Sequence, residues 1–425
     1  SGREFLASKT GTKPLDNNQA LADLCPQLCS SKGEALGTAI AHEVVQHYRQ
    51  LNSEQRLSFF TMLASEYGPD VENIISCADN YRSHSDETHY RALSEAMESP
   101  RVRLFKRINM APNGTQTLIQ MRLDLFSYIK EHGELKAIDT DLKHLMISWF
   151  NRGFLLLEQI SWRTQAHILE KLIAYEAVHE MDGWDDLRRR LSSDRRCFAF
   201  FHPALEDEPL IFVEVALTKG IASSVQTLLA EADTDQLSSD QADTAIFYSI
   251  SNCQEGLRGI SFGNFLIKQV VLELQDELPQ LQQFATLSPI PGFMRWLNAE
   301  RKRDSEWLTT EDRLTLAQLD TPNWHEQASE SESLKELLMR LVAHYLSNEK
   351  NGNLPLDPVA RFHLGNGASI GQINWLGDTS DNGIKQSAGL LVNYLYRLDK
   401  VEENHEAFVN KGEVFMASDV QKLLP

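Results

Sequence analysis

Pairable cysteines, long apolar runs, positive charge and internal repeats are all scarce in this sequence, and each shortage disfavours a class of protein. The five cysteines, Cys25, Cys29, Cys77, Cys197 and Cys253, are odd in number and scattered. Such spacing argues for reduced thiols rather than a disulfide framework. Cys25 and Cys29 have a spacing some zinc sites use, but no second Cys or His pair follows at a suitable distance. His42 and His47 flank Glu43, yet a helix would not bring both to one face as a zincin requires. Neither a metal nor a cofactor is therefore expected. Lys and Arg number 41 against 60 Asp and Glu, a formal net charge of −19. That field repels nucleic acid and anionic lipid, so neither is an expected partner. No apolar run approaches the roughly 20 residues of a membrane-spanning helix. The first residues show neither a signal-peptide core nor an arginine-rich presequence, and Lys422-Leu423-Leu424-Pro425 is not the peroxisomal Ser-Lys-Leu address. A cytoplasmic protein is the expectation. With no fixed-period repeat, a solenoid is disfavoured.

What is present is enough apolar residue, 42% over 425 positions, for two cores rather than one. The first third reads as successive helices. Leu36, Ile40, Val44 and Tyr48 recur at four-residue spacing. Asn52 has the character of an N-cap, with Gln55 three residues on, and Gly68-Pro69 stops the helix that follows. A third helix carries Leu118, Met121, Leu125 and Ile129 and is expected to end near Gly133. After Asn151-Arg152-Gly153 the texture changes. Strands are expected at Cys197–Phe201, Leu210–Leu217, Thr244–Ile250 and Phe284–Leu287. Helices are expected near Ile221–Leu229, at Gly263–Gln275 and at Leu334–Leu346, with a polar stretch from about Ala299 to Ser333. The expected architecture is α+β and multidomain, with an all-α domain over 1–149 for packing or association and a mixed α/β domain over 150–425.

The strand expected at Thr244–Ile250 runs through a glycine-bearing loop into a helix N-terminus. First-turn N–H groups have no intrahelical partner and the dipole adds positive potential, so such a junction can hold phosphate. Arg258 adds a cation. The stretch resembles the acyl-CoA pyrophosphate loop of the GNAT acetyltransferase superfamily, Arg/Gln-x-x-Gly-x-Gly/Ala. Arg258 and Gly263 match its first and last positions, while Ser261 replaces the middle glycine.

Downstream, Phe284-Ala285-Thr286-Leu287-Ser288-Pro289-Ile290-Pro291-Gly292-Phe293 sets a serine at a strand end before two prolines. Ala360-Arg361-Phe362-His363-Leu364-Gly365-Asn366-Gly367-Ala368 sets a histidine among apolar residues. Taken singly, each is more often structural than catalytic. Together with Glu176-Ala177-Val178-His179, Trp184, Cys197–Leu217, Ala245–Val270, Leu287–Leu297, Ile373-Asn374-Trp375 and Gly389–Tyr394, they resemble the malonyl-CoA decarboxylase family. That resemblance implies a helical N-terminal domain followed by a GNAT-like catalytic domain. It implies Ser288 and His363 as catalytic and substrate-binding residues. It also implies a malonyl-CoA-binding loop made of Arg258, Gly259, Ile260, Ser261, Phe262, Gly263 and Asn264. It further implies conversion of malonyl-CoA to acetyl-CoA within fatty-acid metabolism, and a homodimer or homotetramer.

The thioester carbonyl is itself the electron sink for this reaction, so oriented hydrogen-bond donors and a proton source are what it demands. His363 can deliver the proton, and Ser288 can hold the malonyl carboxylate. A covalent malonyl-serine step uses the same two residues, and the sequence does not divide the labour between them. Two rival enzymes compete with this reading: a GNAT-type acyltransferase using the same loop, and a serine hydrolase built on Gly367-Ala368-Ser369-Ile370-Gly371 with Asp381 and His405. Tyr394, Tyr396 and Asn374 are polar candidates for the rest of the pocket. Arg295, Arg301, Lys302 and Arg303 are candidates for an adenosine phosphate.

Overall fold

A computed structural model describes residues 16–30, 33–176, 178–230, 238–260, 262, 266–303, 307–327 and 331–424. The chain divides into two compact units. One comprises residues 1–156 with 201–209 and 254–262, and the other comprises 157–200, 210–253 and 263–425. Among the described residues no helix is long and apolar enough to cross a membrane.

The first unit is helical: α1 Asn17–Ser30, α2 Glu34–Arg49, α3 Ser53–Glu66, α4 Val71–His84, α5 Glu87–Met97, α6 Pro100–Asn109, α7 Gly114–Phe126 and α8 Lys136–Trp149. The expected stripe on α2 is real, since Ile40, Val44 and Tyr48 are buried while Leu36 sits at its solvent edge. Asn52 caps α3 through its side chain on the Gln55 N–H, and the Gln55 side chain accepts from the Asn52 N–H in return. Helix α7 buries Leu118, Met121 and Leu125 but stops at Phe126, short of Gly133. Beyond it the chain continues in turns, with the Ile129 N–H still bonded to the Leu125 carbonyl. Helices α4 and α5 bury no residue and instead expose Val71, Ile75, Tyr90 and Met97. Each is marked by an aspartate N-cap, Asp70 and Asp86.

The second unit is built on a mixed sheet. Strands are β1 Leu156–Ile160, β2 Arg195–Phe201, β3 Pro209–Thr218, β4 Thr244–Asn252, β5 Gln283–Thr286, β6 Lys350–Asn351, β7 Leu354–Pro355, β8 Ser369–Asn374 and β9 Leu391–Leu395. Seven form one sheet in the order β1-β2-β3-β4-β5-β9-β8, and β6 and β7 form a small hairpin. Strand β4 is antiparallel to β3 and parallel to β5, while β9 is antiparallel to both β5 and β8. This is the helical region plus mixed sheet expected of the α+β, GNAT-like reading. Residues two apart share a face. Ile246, Tyr248, Ala285, Leu287 and Leu391 therefore pack with Ala216, Val225 and Leu228 into one apolar layer, leaving Thr286 and the residue two beyond it on the other side. The polar stretch expected from Ala299 onward contains two short helices, Thr310–Leu316 and Trp324–Gln327. The second unit also contains the helices α9 Leu266–Glu277, α10 Phe293–Lys302, α11 Glu332–Ser347 and α12 Pro358–Gly365.

The capping box gives a direct stability test. Asn52→Ala should lower the unfolding free energy by about 1 kcal/mol, and Asn52→Ser should recover most of it. Urea denaturation followed by circular dichroism measures both.

Candidate active site

Ser288 sits where two strands part. The parallel ladder between β4 and β5 ends at Phe247↔Thr286 and is closed by the Leu287 N–H on the Phe247 carbonyl at 2.9 Å. Ser288 turns instead to β9, exchanging both backbone hydrogen bonds with Val392 at 2.9 and 3.0 Å. Pro289 has no N–H to continue a ladder. His363 arrives on α12, which Asp357 caps by accepting from the Val359 and Ala360 N–H groups at 2.9 and 3.0 Å, with Pro358 in the first turn. The last turn of that short helix delivers the imidazole.

The two side chains meet: Ser288 Oγ and His363 Nε2 are 3.1 Å apart, with Ser288 5% and His363 3% exposed. On the far side of the ring, Nδ1 is 2.8 Å from the Tyr396 hydroxyl. Ser288 Oγ also lies 2.8 Å from Thr286 Oγ1, and that oxygen accepts the Tyr394 N–H at 3.0 Å. The Tyr394 ring stacks on the imidazole, centroids 4.6 Å apart. Thr286, Ser288, His363 and Tyr396 thus form one hydrogen-bonded chain. It can run with Tyr396 donating to Nδ1 and Nε2–H donating to Ser288, or in the opposite sense through the other tautomer.

Burial governs the charge here. Loss of water pushes the His363 pKa down to about 3, with no carboxylate close enough to offset it. The same desolvation holds the Tyr394 and Tyr396 hydroxyls well above the usual phenol range. His363, Tyr394 and Tyr396 are therefore uncharged at physiological pH. The Tyr394 hydroxyl is buried without a hydrogen-bond partner among the described residues, so it is a donor ready for a ligand or a water. Asn374 has a different task. It donates to Asn393 Oδ1 at 2.7 Å, and Asn393 donates to the Thr286 carbonyl at 2.6 Å, bracing the strand beneath Ser288.

The expected loop lies in the helical unit as far as Phe262; Ser261, Gly263 and Asn264 are outside the described residues. Arg258 is exposed, Gly259 has φ +77° and Ile260 is buried. A residue that sequence reasoning missed holds this segment: buried Arg122 on α7 donates through Nη1 to the Gly256 and Arg258 carbonyls at 2.8 and 2.9 Å. Its signal was an arginine within the apolar stripe of Leu118, Met121 and Leu125. Thr286 was also missed, although a hydroxyl two residues before Ser288 in a strand must share its face.

The other candidates find ordinary roles. Ser369 opens β8 as a paired strand residue rather than a strand–turn–helix elbow, and His405 bonds the Gly365 carbonyl. This removes the hydrolase reading. Arg301 pairs with Asp320 and Arg303 with Glu300. Cys29 Sγ lies against the Pro100 carbonyl at 3.7 Å, and among the described residues no group of three His, Cys, Asp or Glu could hold a metal ion.

Fold and site together define a two-unit α+β protein with a buried hydroxyl–imidazole couple suited to moving protons. The family model for the malonyl-CoA decarboxylase C-terminal domain matches residues 153–425, and that for the N-terminal domain matches 67–150. The chain is 37% identical over 413 residues to the mitochondrial malonyl-CoA decarboxylase of Anser anser anser, covering 89% of this chain and 82% of that protein. The crystal structure of malonyl-CoA decarboxylase from Rhodopseudomonas palustris is 47% identical, with a TM-score of 0.92 over 96% of this chain and 100% of its own. That from Agrobacterium vitis is 50% identical, with a TM-score of 0.89 over 95% and 99%. The chain belongs to the malonyl-CoA decarboxylase family.

The depressed His363 pKa has a consequence for stability. The folded value of about 3 lies below the ordinary 6.5, so protonation favours the unfolded chain. The contribution is complete above pH 6.5 and is lost as pH falls from there toward 3. Wild-type protein should therefore lose stability faster than His363→Gln over that window, by at most about 1.4 kcal/mol per pH unit. Thermal unfolding at a series of pH values measures the difference.

Proposed function

We infer that this chain converts malonyl-CoA to acetyl-CoA and CO2, with Ser288 and His363 at the reacting end of the substrate. The observation that carries the assignment of roles is the buried 3.1 Å contact between Ser288 Oγ and His363 Nε2, formed by residues 75 apart in the chain. The family match supports decarboxylation over acyl transfer to an amine.

The reaction breaks the bond between the α-carbon and the carboxylate. The electron pair stays on the α-carbon and the thioester oxygen as an enolate, CO2 leaves, and one proton must reach the α-carbon. A neutral, dry pocket favours the first step, because a carboxylate stripped of water loses less by becoming uncharged CO2. Ser288 holds the malonyl carboxylate, and its hydroxyl can rotate from Thr286 toward the ligand. His363 supplies the proton. Its desolvated ring resists charge while the site is empty, and an anion docked beside Nε2 raises its proton affinity. Tyr396 fixes the ring orientation through Nδ1. The loop from Arg258 through Gly259, Ile260, Ser261, Phe262 and Gly263 to Asn264 takes the CoA phosphates. In this reading residues 1–149 pack and associate, and 150–425 carry the chemistry.

The resemblance also supports a homodimer or homotetramer. Helices α4 and α5 bury nothing within the chain, and Val71, Ile75, Tyr90 and Met97 are exposed on them. The five free cysteines fit a reducing compartment such as the cytoplasm, where malonyl-CoA turnover belongs to fatty-acid metabolism.

Ser288→Ala and His363→Ala should each lower kcat by about 10²- to 10⁴-fold, and Tyr396→Phe by about tenfold. CO2 release from malonyl-CoA with no acceptor measures all three, and near-normal turnover in a folded variant removes that residue from the chemistry. Light scattering coupled to gel filtration should give two or four times the 48.2 kDa chain mass. A monomer at that mass contradicts the assembly.

A further inference from the structure

One face of the expected phosphate loop is held by the helical unit through three contacts that differ in kind. Buried Arg122 fixes the Gly256 and Arg258 carbonyls and is itself held by Asp139 on α8, Nε to Oδ1 at 2.7 Å. Gly256 lies so close to α7 that a Cβ there would fall 2.3 Å from the Ile119 carbonyl oxygen. The Arg258 guanidinium is centred 4.6 Å from the Phe126 ring, while Arg122 covers the same ring at 4.8 Å. The loop is thus pinned along its backbone, and its one cation is carried on an aromatic plate rather than paired with a carboxylate.

Beside it stands Lys143, one turn beyond Asp139 on α8. A methyl group added at Gly259 would be 3.8 Å from Lys143 Nζ. The lysine is exposed, and among the described residues its ammonium makes no ion pair, since Asp139 is taken by Arg122. Gly259, at φ +77°, gives the backbone an unobstructed approach at that point. In a chain of net charge −19, two unpaired cations flanking a bare glycine backbone are a local exception that favours an anion. By contrast, Arg301, Arg303 and Lys268 are engaged by Asp320, Glu300 and Glu402.

We propose that Lys143 is a phosphate-binding residue, forming with Arg258 a two-cation seat for the phosphates of the acyl-CoA. This rests on the assignment of the 258–264 loop to the CoA phosphates. Arg122 and Phe126 are positioning residues that hold Arg258 in place.

The test compares kcat/KM for malonyl-CoA with that for malonyl-pantetheine, which has the same reacting end without the nucleotide phosphates. Lys143→Glu and Arg258→Glu should each reduce the preference for malonyl-CoA by about tenfold or more, mostly through KM, and Lys143→Arg should restore most of it. If Arg258→Glu erodes the preference and Lys143→Glu leaves it at the wild-type value, Lys143 is not part of the seat. If neither charge reversal changes the preference, the loop does not bind the phosphates, and the inference about Lys143 falls with that assignment.

Discussion

His363 lies out of reach of water, with both ring nitrogens hydrogen-bonded to hydroxyl groups and one face covered by the Tyr394 ring. In water the ring would be charged for much of its time below neutral pH. Here burial holds it neutral, and no carboxylate compensates. The rest of the site depends on that condition. A neutral pocket can take up an anionic malonyl group without a competing internal ion pair, and the incoming charge then makes protonation of the ring favourable. In the role proposed for His363, the charge of the substrate creates the acid that then acts on it.

Maintaining such a ring costs stability, and the surrounding structure offsets the cost with backbone geometry. Asp357 and Pro358 start a helix only long enough to bring His363 to Ser288. Pro289 ends the β5 ladder, and the two bonds to Val392 hold Ser288 against β9 instead. Thr286, Asn393 and Asn374 brace the strand from beneath. Each of these polar groups is satisfied by another protein group, whereas the Tyr394 hydroxyl beside them has no hydrogen-bond partner among the described residues. A buried donor without an acceptor is costly in the empty protein and useful once an anion or carbonyl arrives.

Much of this was legible in the sequence, for identifiable reasons. The stripe on α2, the Asn52–Gln55 box and the strands at β2, β3 and β4 follow from local periodicity and capping, which a linear chain displays openly. Ser288 and His363 were legible through the motifs around them, whereas their contact spans 75 residues and is a tertiary fact. The end of α7 was misplaced because Ile129 continues its spacing although the chain has already relaxed into turns. Arg122 was overlooked because a buried arginine becomes intelligible only once the carbonyls and carboxylate that receive its protons are known.

The role proposed for His363 is to move a proton to and from the α-carbon of the thioester. By microscopic reversibility, the same residue must catalyse enolisation of the product, a step that needs no CO2. Incubating the protein with acetyl-CoA in D2O and following the methyl signal by NMR isolates that transfer. The account predicts deuterium entry into the methyl group with wild-type protein and its loss in His363→Ala. Exchange in that variant at the wild-type rate would contradict it.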